Sequence, residues 1–266
     1  MPASVTGAEA AQQEPAAGAA LYVYGVVRAD GAAAPDAPGV GDPPGRVSLV
    51  RRGDIAALVS EIDVTRPLGT PEDLVAHQRL LDEASAAGPV LPMRFGGVVR
   101  DAEAIEAELL EPHHDEFADA LDEVTGRAQY VLSGRYDGSV ILGEVLAEQP
   151  EAARLQQEIR GQDEVATRPA RMQLGEIVGD AVAAKREADT EAAVGVLEPF
   201  CAAIAAREPA HEFDAVHLAL LADSERQAAL EQAFDRLAAD WAGRIELRLL
   251  GPMAPYDFVI SPDLEE

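Results

Sequence analysis

The chain has 266 residues and a formal net charge of −27, with 48 Asp and Glu against 21 Lys and Arg. That balance argues against a phosphate-binding surface of the kind nucleic acids require, and against attraction to an anionic membrane. Hydrophobic residues make up 48% and aromatics only 5%, which indicates a folded protein, long enough for two domains, whose cores are filled by Ala, Val and Leu.

Residues 1–19 hold Glu9 and Glu14 but no Lys or Arg, unlike the basic start of a secretion signal, and are expected to form a disordered leader. An intracellular, soluble protein is expected. Leu21 to Arg28 is apolar and β-branched with two tyrosines, and predicts a strand. Residues 29–45 are rich in Pro and Gly and predict a loop. Arg46 to Val50 and Asp54 to Ile62 predict a hairpin turning at Arg51-Arg52-Gly53-Asp54. Thr70-Pro71-Glu72-Asp73 opens a predicted helix to Ala87: Thr caps, Pro suits the first helical position, and the acids favour the positive end of the dipole.

Next comes Gly88-Pro89-Val90-Leu91-Pro92-Met93-Arg94-Phe95-Gly96-Gly97. Two prolines that cannot donate to a ladder make this an edge strand, or one entered through a fixed turn. A helix is expected from Asp101 to about Val124, ending before Gly126, the preferred domain boundary. Ala128 to Tyr136 predicts a strand. The chain from Gly138 to about Ala206 is expected to be helical, with Gln173 to Arg207 as one long helix that carries Cys201 as a small buried hydrophobe. Phe213 to Ala222 predicts a strand, Ser224-Glu225-Arg226-Gln227 a capping box opening a helix to Trp241, and Arg244 to Leu250 the last strand.

These elements predict an α+β fold of two domains, each a small, mainly antiparallel sheet with helices on one face and close to a split βαβ arrangement. The expected limits are 20–125 and 126–254, followed by a tail over 255–266.

Candidate chemistry is sparse. A lone Cys201 permits no intrachain disulfide and no thiolate metal cluster. His113-His114-Asp115-Glu116 concentrates possible ligands, but adjacent helical residues diverge by about 100°, so a solvated face is expected and no metal. His77 lacks a nucleophile motif to serve as general base and is expected to pack at a domain surface. His217, between Val216 and Leu218, reads as a sheet histidine. Gly39-Val40-Gly41 is not followed by a helix, so no phosphate loop or nucleotide cofactor is expected. Arg94 stands in an apolar segment. If buried, it needs a carboxylate, with Asp54, Asp73 and Glu61 as candidates.

Three segments resemble one known family in order. The first is the strand Leu21 to Val27. The second joins Asp73-Leu74-Val75-Ala76-His77-Gln78-Arg79-Leu80 to Pro89-Val90-Leu91-Pro92-Met93-Arg94-Phe95-Gly96. The third is Gly251-Pro252-Met253-Ala254-Pro255-Tyr256-Asp257-Phe258. Together they are similar to the GvpL/GvpF family of gas vesicle proteins over residues 20–260. The segment Pro169 to Glu176 departs from the family pattern, having neither Tyr nor Lys.

The resemblance implies two α+β domains, the second ferredoxin-like with a long helical insertion. It implies an accessory or minor structural protein of gas vesicle formation, located in the cytoplasm with the vesicle and not an enzyme. Its partners would be other vesicle proteins, including the hydrophobic shell subunit. The motif residues His77, Pro89, Leu91, Pro92, Arg94, Phe95, Gly96, Gly251, Pro252, Pro255 and Tyr256 are the candidate interaction positions. The sheet edge from Pro89 to Phe95, or an apolar groove between the domains, is the candidate surface. The competing reading is a ferredoxin-like enzyme or small-ligand domain with a pocket at the domain junction, lined by His77, Arg94 and a carboxylate.

Overall fold

The computed structural model describes residues 19–30 and 37–259. The expected leader lies outside the described residues, apart from its last residue, and so does the end of the tail from residue 260 onward. Two antiparallel sheets follow one another along the chain.

The first sheet holds β1 (Ala19–Arg28), β2 (Val47–Arg52), β3 (Ile55–Asp63) and β4 (Val90–Pro92) in the order β2-β3-β1-β4, with the short β5 (Val98–Val99) also pairing β1. The second holds β6 (Arg127–Tyr136), β7 (Cys201–Ala206), β8 (Asp214–Asp223) and β9 (Ile245–Met253) in the order β7-β8-β6-β9. Counted from the start of each half, the strand order is the same. The second half has helices on both of its crossovers and is therefore ferredoxin-like. Among the described residues, the first half has no helix between β1 and β2.

The hairpin of β2 and β3 turns where Gly53 adopts φ 60, a left-handed conformation that glycine takes without steric cost. Helix α1 (Pro71–Ala87) begins as its sequence predicts. The Thr70 hydroxyl accepts from Asp73 N–H at 3.2 Å, and the Asp73 carboxylate accepts from Thr70 N–H at 3.1 Å. The Asp73 carboxylate also takes Gly41 N–H at 3.0 Å, tying the proline-rich loop to the helix.

Alternation along β1 and β3 builds two cores. Val23, Val26, Ile55, Ala57 and Val59 face one side, and Tyr22, Tyr24, Val27, Ala56 and Leu58 the other. Leu80, Leu81 and Ala84 of α1 cover the tyrosine side. Ile105, Leu109, Phe117 and Leu121 cover the opposite side, so helical segments lie on both faces of the first sheet. The expected single helix from Asp101 to Val124 is instead α2 (Ala102–Ala104), a π-helical turn over Ile105–Leu110 and, after Pro112, α3 (His114–Val124). A proline inside a helix removes a hydrogen bond, and the chain re-enters helical geometry after it.

The second half inserts α4 (Gly138–Glu148), α5 (Pro150–Ile159) and the 30-residue α6 (Arg168–Leu197) between β6 and β7. The expected helix through Arg207 stops at Leu197. Pro199 follows in a short 3₁₀ turn, and with no N–H of its own it cannot extend the helical ladder. Cys201–Ala206 then pairs with β8 as an outer strand, so Cys201 is a half-buried strand residue and not a helical one. The capping box expected at Ser224 does not form. Ser224–Arg226 makes a 3₁₀ turn, and α7 (Gln227–Asp240) starts after it with no side-chain cap.

The N-cap of α1 gives a direct test. Thr70→Ala removes the acceptor for Asp73 N–H and is expected to lower stability by roughly 1 kcal/mol in urea unfolding, whereas Thr70→Ser keeps it.

Candidate functional site

The motif segments far apart in sequence meet at one place. Tyr22 and Tyr24 project from β1 toward α1, and both are fully buried. Between them and α1 sits His77, 4% exposed. The Tyr22 hydroxyl lies 2.9 Å from Nδ1 of His77 and accepts the Gly96 N–H at 3.1 Å. The Tyr24 hydroxyl accepts the Val40 N–H at 2.7 Å and bonds Ser60 Oγ at 2.7 Å. The His77 ring lies 5.7 Å from the Tyr24 ring in a stacked arrangement, and meets Tyr22 and Phe95 edge-on at 5.7 and 5.5 Å. Such pairs add about 1 kcal/mol each beyond area burial.

His77 is thus a core residue and not, as its polar neighbours on α1 suggest, a surface one. Burial lowers its pKa from 6.5 to about 4, an effect the Met93 backbone partly opposes, and its Nε2 makes no close hydrogen bond. Burial also raises the pKa values of the Tyr22 and Tyr24 phenols. A neutral imidazole beside un-ionised phenols suits packing and orientation.

The Pro89 to Gly96 segment closes one side of this cluster. Val90, Leu91 and Pro92 of β4 are buried, Pro89 and Phe95 are half-buried, and Gly96 turns at φ 104. Arg94, which would need a carboxylate if buried, is exposed, whereas Met93 before it is buried with its N–H on Tyr24 O at 2.8 Å. Two of the carboxylates considered for it also have other partners. Asp54 pairs with Arg28 at 2.9 Å and His114 at 2.8 Å, and Asp73 collects backbone N–H groups. Those N–H groups outweigh the burial that would raise the Asp73 pKa, so it is lowered.

The third motif arrives from β9. Gly251 has φ 139, and a Cβ there would stand 2.7 Å from both Gln129 O and the Tyr130 ring, so only glycine fits. Pro252 is exposed. The chain then leaves the second sheet and enters the first half, where Ala254 is fully buried with Leu80, Leu81 and Val90. Ala254 N–H donates to Asp82 of α1 at 3.1 Å, and burial raises the Asp82 pKa. Pro255 is buried and Tyr256 packs against the same cluster as Phe95. Asp257 turns back: its N–H donates to Gln129 Oε1 at 2.9 Å, and its carboxylate takes Gln129 Nε2 at 2.5 Å and Arg207 at 3.2 Å. Residues 251–257 therefore form a strap from β6 and β9 to α1.

A second cluster gave no signal in sequence spacing. Arg244 reaches Glu144 of α4 at 2.8 Å and Asp189 of α6 at 2.9 Å. Lys185 reaches Glu144 and Glu148 at 3.2 and 2.8 Å, and Tyr136 donates to Asp189 at 2.6 Å. The network pins the inserted helices to the end of the sheet, and its directly bonded partners lie up to 100 residues apart. His113 pairs with Glu116 at 3.2 Å, and His114 with Asp115 at 3.0 Å. Of the residues named for a junction pocket in the competing reading, His77 is enclosed and Arg94 is exposed.

Comparison with known proteins accounts for this convergence. The family model described as gas vesicle synthesis protein GvpL/GvpF matches residues 20–260, a span that contains the first strand, α1, the Pro89 segment and the strap. The chain belongs to the GvpL/GvpF family. Gas vesicle protein F of Streptomyces sp. (strain CB03234) is 33% identical over 242 residues, 90% of this chain and 98% of that protein. Gas vesicle protein L1 of Halobacterium salinarum is 27% identical over 249 residues, 85% of this chain and 84% of that protein. The crystal structure of GvpF from Anabaena sp. PCC7120 superposes with TM-score 0.76 at 21% identity, covering 92% of this chain and all of that one. That of GvpF from Microcystis aeruginosa gives 0.73 at 18% identity. The fold is the GvpF fold. Among the described residues, no helix is long and apolar enough to cross a membrane.

Two outcomes are expected. The unfolded chain binds a proton at His77 below about pH 6.5 while the folded chain resists until about pH 4. Stability from this residue is therefore complete above pH 6.5 and falls as pH drops toward 4, by up to on the order of 3 kcal/mol. Urea unfolding across pH 7 to 5 reads the slope, and His77→Gln should flatten it. Gly251→Ala should destabilise by more than an ordinary Gly→Ala change, of order 1–3 kcal/mol, because backbone and a packed ring both obstruct the new methyl group.

Proposed function

We propose that the chain is an accessory, minor structural protein of gas vesicle formation that binds other vesicle proteins during assembly, the hydrophobic shell subunit among them. The reading is supported most by the family match over residues 20–260, within which three separate motifs pack as one cluster. In this reading the protein binds and does not turn over a substrate. His77, Pro89, Leu91, Pro92, Phe95 and Gly96, with Gly251, Pro252, Pro255 and Tyr256, fix how two domains, 20–125 and 126–254, stand to each other. Arg94, exposed in the same segment, is the motif residue proposed to touch a partner. The protein works in the cytoplasm at the growing vesicle, where a net charge of −27 keeps a complex with an apolar subunit in solution.

The side chains of residues 90–92 are buried, and β4 is an outer strand that offers an added strand an edge only three residues long. Arg94 and the exposed apolar side chains Leu74 and Val75 at the start of α1 remain accessible.

A pull-down of the protein with the shell subunit and the other accessory proteins of its gene neighbourhood tests the reading. Specific retention of one or more is expected, weakened several-fold by Arg94→Ala. Retention of none by the well-folded protein would contradict it.

A further inference from the structure

The outer strands of the two sheets are not equally protected, and the two-residue β5 is too short to offer an edge. An outer strand presents unpaired N–H and C=O groups, and proteins blunt such edges with charges, prolines or bulges. Strand β2 carries Arg51 and Arg52, β4 is three residues long and ends in Pro92, and β9 carries Glu246, Arg248 and Pro252. Strand β7 reads Cys-Ala-Ala-Ile-Ala-Ala, with neither charge nor proline. Its only irregularity is a bulge at Ala202, which leaves Ala203 to Ala206 in regular register with β8. Ala203 and Ala206 are exposed.

The free hydrogen-bonding groups follow from the ladder. Arg207 N–H donates to His217 O at 2.9 Å, so Arg207 and, two residues back, Ala205 point their backbone groups at β8. In an antiparallel ladder alternate residues turn the other way. Ile204 and Ala206 therefore aim their N–H and C=O groups outward, and among the described residues β8 is the only strand that pairs with β7.

We propose that β7 is a docking edge that accepts an extended, apolar strand of neutral or basic charge from a partner protein, added beside it in the second sheet. Charge and side-chain size select that occupant over a second copy of this chain. Two chains of −27 repel, and pairing β7 with itself would set alanine against alanine, which buries little apolar surface. A strand bearing Val or Ile side chains places them over the small alanines without a clash, and gains both the ladder bonds and the burial. The partner's identity as a vesicle protein rests on the assembly reading, whereas the edge and its chemistry do not.

The test uses the full chain and a probe peptide, ten alternating valines and threonines flanked by lysines. Hydrogen exchange is read at the Ile204 and Ala206 amides. Protection by the peptide is expected at both, with weaker protection from the same peptide flanked by glutamates. Ala206→Pro removes an outward donor without breaking a bond to β8 and should return protection at Ile204, the one of the two amides that remains, to the peptide-free level. Ala206→Lys keeps the donor but adds a guarding charge and should weaken it, which carries the test if the proline variant does not fold. No protection, or protection unchanged in both variants, overturns the proposal. So does protection that appears without peptide as protein concentration rises, which would make the occupant a second copy. Retention of vesicle proteins by a chain whose Ala206 variants bind them undiminished would keep the assembly reading and sink this one.

Discussion

The Tyr22 hydroxyl holds the Gly96 N–H on one side and the His77 ring on the other, and the rest of the architecture is arranged over that pair. Once His77 is buried and neutral, α1 has a fixed rotation on the first sheet. That rotation presents Asp82 to the incoming chain and leaves a seat for Ala254 beside Leu80 and Leu81. The strap from β9 can close only against that seat. The second half thus meets α1 through Ala254, by way of a turn at Gly251 where a Cβ would strike Gln129 O and the Tyr130 ring.

A chain with 5% aromatic residues cannot spread them widely. Tyr22, Tyr24, Phe95 and Tyr256 are concentrated with His77 at the junction, where large, oriented rings define geometry. The cores on either side are built from Val, Leu, Ile and Ala and could be repacked more freely. At the far end of the second half the Arg244 network does the same work with charge. One guanidinium satisfied by two carboxylates anchors the inserted helices, in a protein with acid to spare.

Local chemistry was legible in the sequence and long-range pairing was not. Thr70 to Asp73 and Arg51 to Asp54 act within four residues, so the cap and the hairpin could be read directly. Cys201–Ala206 was misread because alanine favours helix on its own, and only the register with β8 makes it a strand. For Arg94 the sequence left burial open, and only the fold shows it exposed beside the buried Met93. The Tyr22–His77 bond spans 55 residues and the Gln129–Asp257 pair 128, separations that leave no periodic trace. The resemblance of the motifs pointed to those residues, but their joint role as a junction needed the fold.

The most direct measurement is of vesicle formation itself, in a host that carries a complete vesicle gene set with its own GvpF or GvpL gene removed. Intact gas vesicles scatter light that collapses under pressure. Pressure-sensitive scattering restored by this chain, and not by a Gly251→Ala variant expressed to the same level, is the expected result. Vesicles forming equally well with and without the chain would contradict the account.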